Sequence, residues 1–244
     1  MLENTKFAII NDIEPFSYQE REALNLLRTN LQFSGAKLKT FMLTSSNREE
    51  GKSTVSMNLA RSMADSGKRT LYIDADMRRS VTMTRYKISV GGQVKGLTHY
   101  LSNQYDIPDI IFKTNVERLD FIFTGTMSPN PTELLQGDLF KNLLDYCARI
   151  YDCIIIDTAP IGEVVDAVLI APLTDGVIFV IENNAISYRL AQEVKSQLEV
   201  TGCKILGVVL NKVKADDRKY YGKYGKYGKY GKYEKYGGYG EEEK

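Results

Sequence analysis

The chain has 244 residues, 43% hydrophobic and 26% charged, the make-up of a soluble globule with room for one sizeable α/β domain and a tail. Its formal net charge of +1 argues against a dedicated nucleic-acid binder, which would be strongly basic. Cys147, Cys153 and Cys203 form no C-x-x-C pair, which argues against a metal site or disulfide framework and fits a reducing cytoplasm; each reads as a small buried apolar residue.

No basic segment leads into a long apolar core at the N-terminus, so no signal peptide is expected. No run approaches the roughly 18 apolar residues a bilayer span needs, so membrane association is expected only through a partner. Residues 1–16 read as an extended arm that Pro15 stops. Ser17-x-x-Glu20 is a capping box for a helix running to about Phe33. Leu24, Leu27 and Leu31 lie on one face of it; Glu22, Asn25 and Arg28 stack on another, as a solvated face or a subunit contact.

In Lys39–Thr54 the apolar run Phe41-Met42-Leu43 leads through small polar residues into Gly51-Lys52-Ser53-Thr54 and an amphipathic segment. Strand, loop and helix start are the context of a phosphate-binding P-loop, whose helix N-terminus offers unpaired N–H groups to phosphate. The pattern G-x-x-x-x-G-K-[ST] wants glycine at position 46, where this chain has Ser46. Residues Asn47, Arg48, Glu49, Glu50, Gly51, Lys52, Ser53 and Thr54 are the expected nucleotide cradle, with Lys52 on the outer phosphates and Ser53 on Mg²⁺.

Val55–Ser66 is helical and ends at Gly67; Arg69–Asp76, RTLYIDAD, is a short strand closing on two aspartates. Residues 77–118 are less regular, with a loop at Gly91-Gly92 and a short helix at Leu97–Leu101. His99, the only histidine, reads as a loop or helix-surface residue without a role. Leu119–Thr124 is a strand, Met127–Pro131 a turn, and Thr132–Ile150 one long amphipathic helix. Asp152–Pro160 is the most apolar strand; Val164–Pro172 and Ser187–Thr201 are helical, and Gly176–Glu182 and Lys204–Val213 are strands. This alternation predicts an α/β fold, a mostly parallel sheet with helices on both faces and ligands at the carboxyl ends of its strands.

Beyond Asp217 the composition changes to a Gly/Tyr/Lys repeat with Tyr220, Tyr221, Tyr224, Tyr227, Tyr230, Tyr233, Tyr236 and Tyr239, half of the chain's sixteen tyrosines. Without aliphatic residues nothing offsets the ordering cost of about 1–2 kcal/mol per residue, so residues 218–244 are expected to be disordered, as sticky material or as a row of equivalent chemical targets. The expected organisation is an arm at 1–16, a P-loop domain at 17–217 and this tail.

Phosphoryl transfer needs charge neutralisation, a metal and a group that orients the attacking hydroxyl. Three strand ends supply them. Lys52 and Ser53 follow the first; Asp74 and Asp76 end the second, two apart and so on one face; Asp157 ends CIIID as a Walker B aspartate does. Asp157 and Asp76 are expected at Mg²⁺ with Ser53, and Asp74 is expected to orient or deprotonate a hydroxyl.

GKST, LYIDAD and IIIDTAP resemble the Walker A, A′ and B motifs of bacterial tyrosine kinases, and the resemblance covers nearly the whole chain. Glu22-x-x-Asn25-x-x-Arg28 resembles that family's E-x-x-R-x-x-R motif, implying a ring-like homo-oligomer when dephosphorylated, although the middle arginine is Asn25 here. Pro129–Leu135 matches a further family segment, and the tyrosine tail its autophosphorylation cluster. The chain resembles in particular the cytoplasmic kinases of capsule and exopolysaccharide export in Gram-positive bacteria. This implies an ATP- and Mg²⁺-dependent tyrosine autokinase acting mainly between subunits, a separate transmembrane activator that recruits it to the inner membrane face, a cognate tyrosine phosphatase, and an adenine contact at Asn211 in VVLNKV.

Two other readings compete. Partitioning and septum-positioning ATPases resemble the sheet and Asp157, but carry a signature lysine where this chain has Asn47, and they leave the tail unexplained. A scaffold that binds through its aromatic tail would make no use of Lys52.

Overall fold

The computed structural model describes residues 6–213; the expectations for the tail, including all eight of its tyrosines, lie outside the described residues. In chain order the elements are β1 (Phe7–Ile9), α1 (Tyr18–Ser34), β2 (Thr40–Ser45), α2 (Lys52–Asp65), β3 (Thr70–Asp74), α3 (Thr82–Arg85) and β4 (Ser89–Val90). Next come α4 (Leu97–Leu101), α5 (Ile107–Ile110), β5 (Ile111–Thr114), β6 (Leu119–Ile122), α6 (Pro131–Gln136), α7 (Asp138–Ile150) and β7 (Cys153–Asp157). The last are α8 (Asp166–Ile170) with a 3₁₀ turn at Ala171–Leu173, β8 (Gly176–Glu182), α9 (Tyr188–Val200) and β9 (Ile205–Asn211).

The strands form one sheet in the order β4-β1-β5-β6-β3-β7-β2-β8-β9. It is parallel except at β1/β4 and β5/β6. β2, β3 and β7 are buried along their whole length, which their unbroken apolar runs require in a sheet covered on both faces. Alternate residues serve opposite cores. Phe41, Leu43, Tyr72 and Ile155 pack with Leu31 of α1 and with Met57 and Ala60 of α2. Met42, Ile73, Ile154 and Ile156 pack with Phe140 and Leu143 of α7, Ile170 of α8 and Leu198 of α9. Each such Ile, Leu or Phe stabilises the fold by about 1.5–3 kcal/mol relative to its exposed state.

Local chemistry sets the boundaries. The Ser17 side chain and the Glu20 carboxylate cap each other's backbone at the start of α1, the expected box. At the end of α2, Gly67 (φ +91°) donates to Ala64 O and Lys68 to Met63 O, a Schellman closure that needs a left-handed residue. α2 begins three residues before the expected Val55, because the loop motif itself supplies the first turn. The helix expected over Thr132–Ile150 is broken at Gly137, whose extended backbone (ψ 166°) ends α6 and starts α7 afresh at Asp138.

The N-terminal arm contributes a strand. Ala8 pairs with Thr114 of β5 on one side and Val90 of β4 on the other. Like β4 and β5 it is only two to four residues long, too short for a period-two pattern to stand out. His99 is buried rather than on a surface, and its Nδ1 accepts the Gly96 N–H at the start of α4. Among the described residues no helix is long and apolar enough to cross a membrane.

Candidate active site

β2 delivers the chain into the loop at Ser46, and α2 takes it out at Lys52. Ser46 is absent from the positions with positive φ, so this site does not call for glycine. The buried Glu50 side chain closes the loop from beneath: its Oε2 accepts the N–H groups of Ser46 (2.8 Å) and Asn47 (3.3 Å). Burial raises the Glu50 pKa, against the lowering effect of those two N–H bonds. Gly51 (φ +85°) is the glycine the loop cannot replace; a Cβ there would lie 2.0 Å from Asn211 Nδ2. Asn211, expected at adenine, donates that same amide to Glu50 O at 2.9 Å and so braces the loop.

The loop lines a cavity together with Asp76, Arg78, Arg79, Arg85 and Glu163. Of the expected cradle, Asn47 through Ser53 line it. Thr54 does not; its hydroxyl accepts from Arg85 Nη1 at 2.6 Å. Arg48 Nε donates to Glu163 Oε2 at 2.5 Å, joining the loop to the segment after β7.

Parallel pairing brings the acidic groups together. Asp74 and Asp157 are register partners across β3 and β7, and Leu43 of β2 is the other partner of Asp157. Asp157 Oδ1 accepts from Lys52 Nζ (2.8 Å) and Ser56 Oγ (3.0 Å), and its Oδ2 from the Tyr72 hydroxyl (3.2 Å). Asp74 Oδ2 accepts from Ser80 Oγ at 2.5 Å. Burial first, and then the Asp157 charge, push the Asp74 carboxyl up to about 6. A carboxyl so poised exchanges protons readily near neutral pH. Asp76 is half-buried at the cavity wall, where its Oδ1 accepts the Arg79 N–H.

The donor set suits a hard divalent cation held partly by phosphate. Among the described residues no group of three or more His, Cys, Asp or Glu side chains could hold a metal alone. Mg²⁺, however, takes one or two carboxylates and completes its shell with water and phosphate oxygens, and Asp76, Asp157 and the Ser53 hydroxyl could provide the protein's share. Oligomer candidates lie apart, on α1. Asn25 bridges Glu22 Oε1 (3.4 Å) and Arg28 Nη2 (3.0 Å), while Arg28 Nη1 donates to Ser62 O of α2 at 2.7 Å.

The "AAA domain" family description matches residues 39–201. Tyrosine-protein kinase CpsD of Streptococcus agalactiae is 43% identical over 224 residues, 90% of this chain and 97% of that protein. The chain belongs to the bacterial tyrosine-protein kinase family. The crystal structure of the chimerical protein CapA2B2 superposes with a TM-score of 0.74 at 31% identity, covering 84% of this chain and 94% of that one. The septum site-determining protein MinD of Pyrococcus horikoshii OT3, complexed with Mg-ADP, reaches 0.61 at 20% identity over 70% and 69% of the two chains; this likeness shows the fold alone. As a member of the kinase family the chain is a protein-tyrosine kinase, and nucleotide binding comes with the family's P-loop.

The motifs assign no role to several residues at the candidate site. Ser56 lies one helical turn beyond Lys52, and Tyr72 two strand positions before Asp74, so periodicity would have found both. Arg78 could not be found that way. Its guanidinium holds the fully buried Asp166 through Nε (2.7 Å) and Nη2 (2.9 Å), and Nη2 also meets Thr132 Oγ1 (2.9 Å).

Proposed function

We propose that this kinase transfers the γ-phosphoryl group of ATP to tyrosines of its own C-terminal repeat, mainly from one copy of the chain to another. The observation that carries the reading is the meeting of Lys52, Asp157 and Asp74 at the carboxyl ends of three parallel strands. Loop amides and Lys52 bind the phosphates, and Ser53, Asp76 and Asp157 hold Mg²⁺. When bound, the cation neutralises charge on the phosphates. Asp74 receives the phenol proton at Oδ2, the atom that now accepts from Ser80. The phenol oxygen forms the new bond to phosphorus, the bond to the β-phosphate oxygen breaks, and ADP leaves. A phenol of pKa near 10 needs that assistance at neutral pH. Asn211 serves the nucleotide by bracing Glu50 and Gly51, and as the expected adenine contact.

The acceptors are Tyr220 to Tyr239 of the repeat. Self-association uses α1, whose outward stripe carries Tyr18, Glu22, Asn25, Leu26 and Phe33, with Tyr18 79%, Leu26 63% and Phe33 85% exposed. Arg28 contributes less, since it is half-buried and bonded to α2. The protein works in the cytoplasm, recruited to the membrane by a separate transmembrane activator, opposed by a tyrosine phosphatase, and regulates capsular or exopolysaccharide synthesis and export.

Intact-mass measurement after incubation with MgATP tests the reaction: a ladder of phosphates is expected, and none would favour the partitioning-type ATPase reading. Mixing a Lys52→Met chain with an active, tail-truncated one tests the direction. Phosphate on the Lys52→Met tail demands transfer in trans; its absence overturns that part.

A further inference from the structure

The side chain of Tyr72 is fully buried in the middle of β3, on the face covered by α2. A tyrosine in such a position must satisfy its hydroxyl, and an aliphatic residue would fill a core strand without that demand. The register sets Tyr72 beside Ile155, so Asp157 lies two residues further along the neighbouring strand on the same face. The Tyr72 hydroxyl reaches Asp157 Oδ2 at 3.2 Å, with Thr82 Oγ1 3.4 Å away on its other side. Its ring is held against Phe121, centroids 4.8 Å apart, and Phe121 in turn stacks on Phe123 at 5.4 Å.

The two oxygens of Asp157 therefore have different guardians. Oδ1 is shared by Lys52 and Ser56, both on α2 and both part of the phosphate-binding element. Among the described residues, Oδ2 is held by one group, the Tyr72 hydroxyl, which is anchored in the sheet. Lys52 is needed at phosphate, so its hold on the carboxylate cannot be the one that fixes the plane of Asp157 while phosphate is bound. A strand-borne phenol clamped by aromatic rings has no such second task. It also lowers the cost of a carboxylate at Asp157 facing Asp74 across the strand pair.

We infer that Tyr72 is a positioning residue, fixing the plane of Asp157 so that the carboxylate meets Mg²⁺ in a set orientation. This rests on the reading of Asp157 as a metal ligand and adds a residue that acts through it. Hydrogen-bonded partners of metal-binding carboxylates commonly change metal affinity by about 10–100-fold when removed. Tyr72→Phe keeps the ring and its stack on Phe121 and removes only the donor.

The test is binding of a fluorescent ADP analogue titrated with Mg²⁺, beside the same titration without metal. For Tyr72→Phe the Mg²⁺ concentration at half-saturation is expected to rise about 10-fold, with metal-free ADP affinity unchanged. An unchanged Mg²⁺ midpoint overturns the proposal, and so does an equal loss of metal-free binding, which would mark general damage to the loop. Asp157→Asn in the same assay separates the two layers. If it too leaves the Mg²⁺ midpoint alone, the metal-ligand reading fails; if it alone shifts the midpoint, only the role of Tyr72 fails. Should Tyr72→Phe not fold, Phe121→Leu, which loosens the ring but keeps the hydroxyl, is expected to raise the same midpoint several-fold, and no rise there overturns the proposal.

Discussion

Lys52 Nζ lies 2.8 Å from Asp157 Oδ1, with only 6% and 1% of the two side chains exposed. A charge pair this deep is tolerated because each member neutralises the other, so removing one leaves the other stranded. Lys52→Met is expected to cost about 3 kcal/mol of folding stability, the low end for a broken buried pair, because Ser56 and Tyr72 still donate to Asp157. Adding Asp157→Asn should recover most of that loss. Urea melts of the single and double variants check it; an unaltered midpoint for Lys52→Met would mean the pair contributes nothing to folding.

Asp74 links stability to pH. Its folded-state value of about 6 stands above the ordinary 3.8, so the folded protein binds this proton more tightly than the unfolded chain. The stabilisation is complete below about pH 4 and is lost as pH rises through 6. The metal-free Asp74→Asn protein should thus be more stable than the parent at pH 7.5, by about 1–3 kcal/mol. The gap should close at pH 4. Melting curves at both pH values settle the sign, and at pH 7.5 tyrosine phosphorylation should be lost in the variant.

Arg78 offers a test of geometry rather than charge. Its two-point hold on Asp166 requires the planar fork, and Asp166 is fully buried. Arg78→Lys keeps the charge but should still lose about 2 kcal/mol, since an ammonium cannot satisfy both carboxylate oxygens and Thr132 together. A variant as stable as the parent would show that a point charge suffices.

Thiol reactivity should divide two to one. Burial pushes the Cys147 and Cys153 thiols up to about 12, whereas Cys203 is half-buried. A disulfide reagent at pH 8 is expected to modify Cys203 in the native protein and the other two only after unfolding. Peptide mapping of the first labelled product is the check.

If the repeat is phosphorylated as proposed, its charge predicts a switch. From Tyr220 onward there are six lysines and four glutamates, 6 − 4 = +2. Each phosphate adds roughly −1.5 to −2, so two of them reverse the sign. Phosphorylation is expected to disperse the oligomer and weaken docking to an activator. Sedimentation that gives the same species for both forms would remove this idea. Equivalent spacing also predicts a graded loss as tyrosines are changed stepwise to phenylalanine.

Much of the candidate site is legible because its motifs are local. Gly51-Lys52-Ser53 announces itself in three letters, and Asp74 and Asp157 each close an apolar run. The long strands were legible for the same reason: β2, β3, β7 and β8 are buried on both faces and read as continuous apolar segments. What could not be read depends on partners far along the chain. Arg78 and Asp166 are 88 residues apart, and nothing near either predicts the other. Asn211 carries a motif-like position, but its bond to Glu50 spans 161 residues. Gly137 breaks the helix although the apolar face of α7 continues the same helical pattern beyond it.

Gly162 has a carbonyl of Ser46 where its own side chain would begin, 2.3 Å from an ideal Cβ. The shape of the nucleotide loop is therefore written in three places: the loop itself, the turn after β7 that carries Gly162, and the end of β9 that carries Asn211. Grafting the loop residues alone onto a related sheet would not transplant its geometry. Glycine at position 46 would bring no backbone freedom that the loop uses, because the backbone there already suits serine.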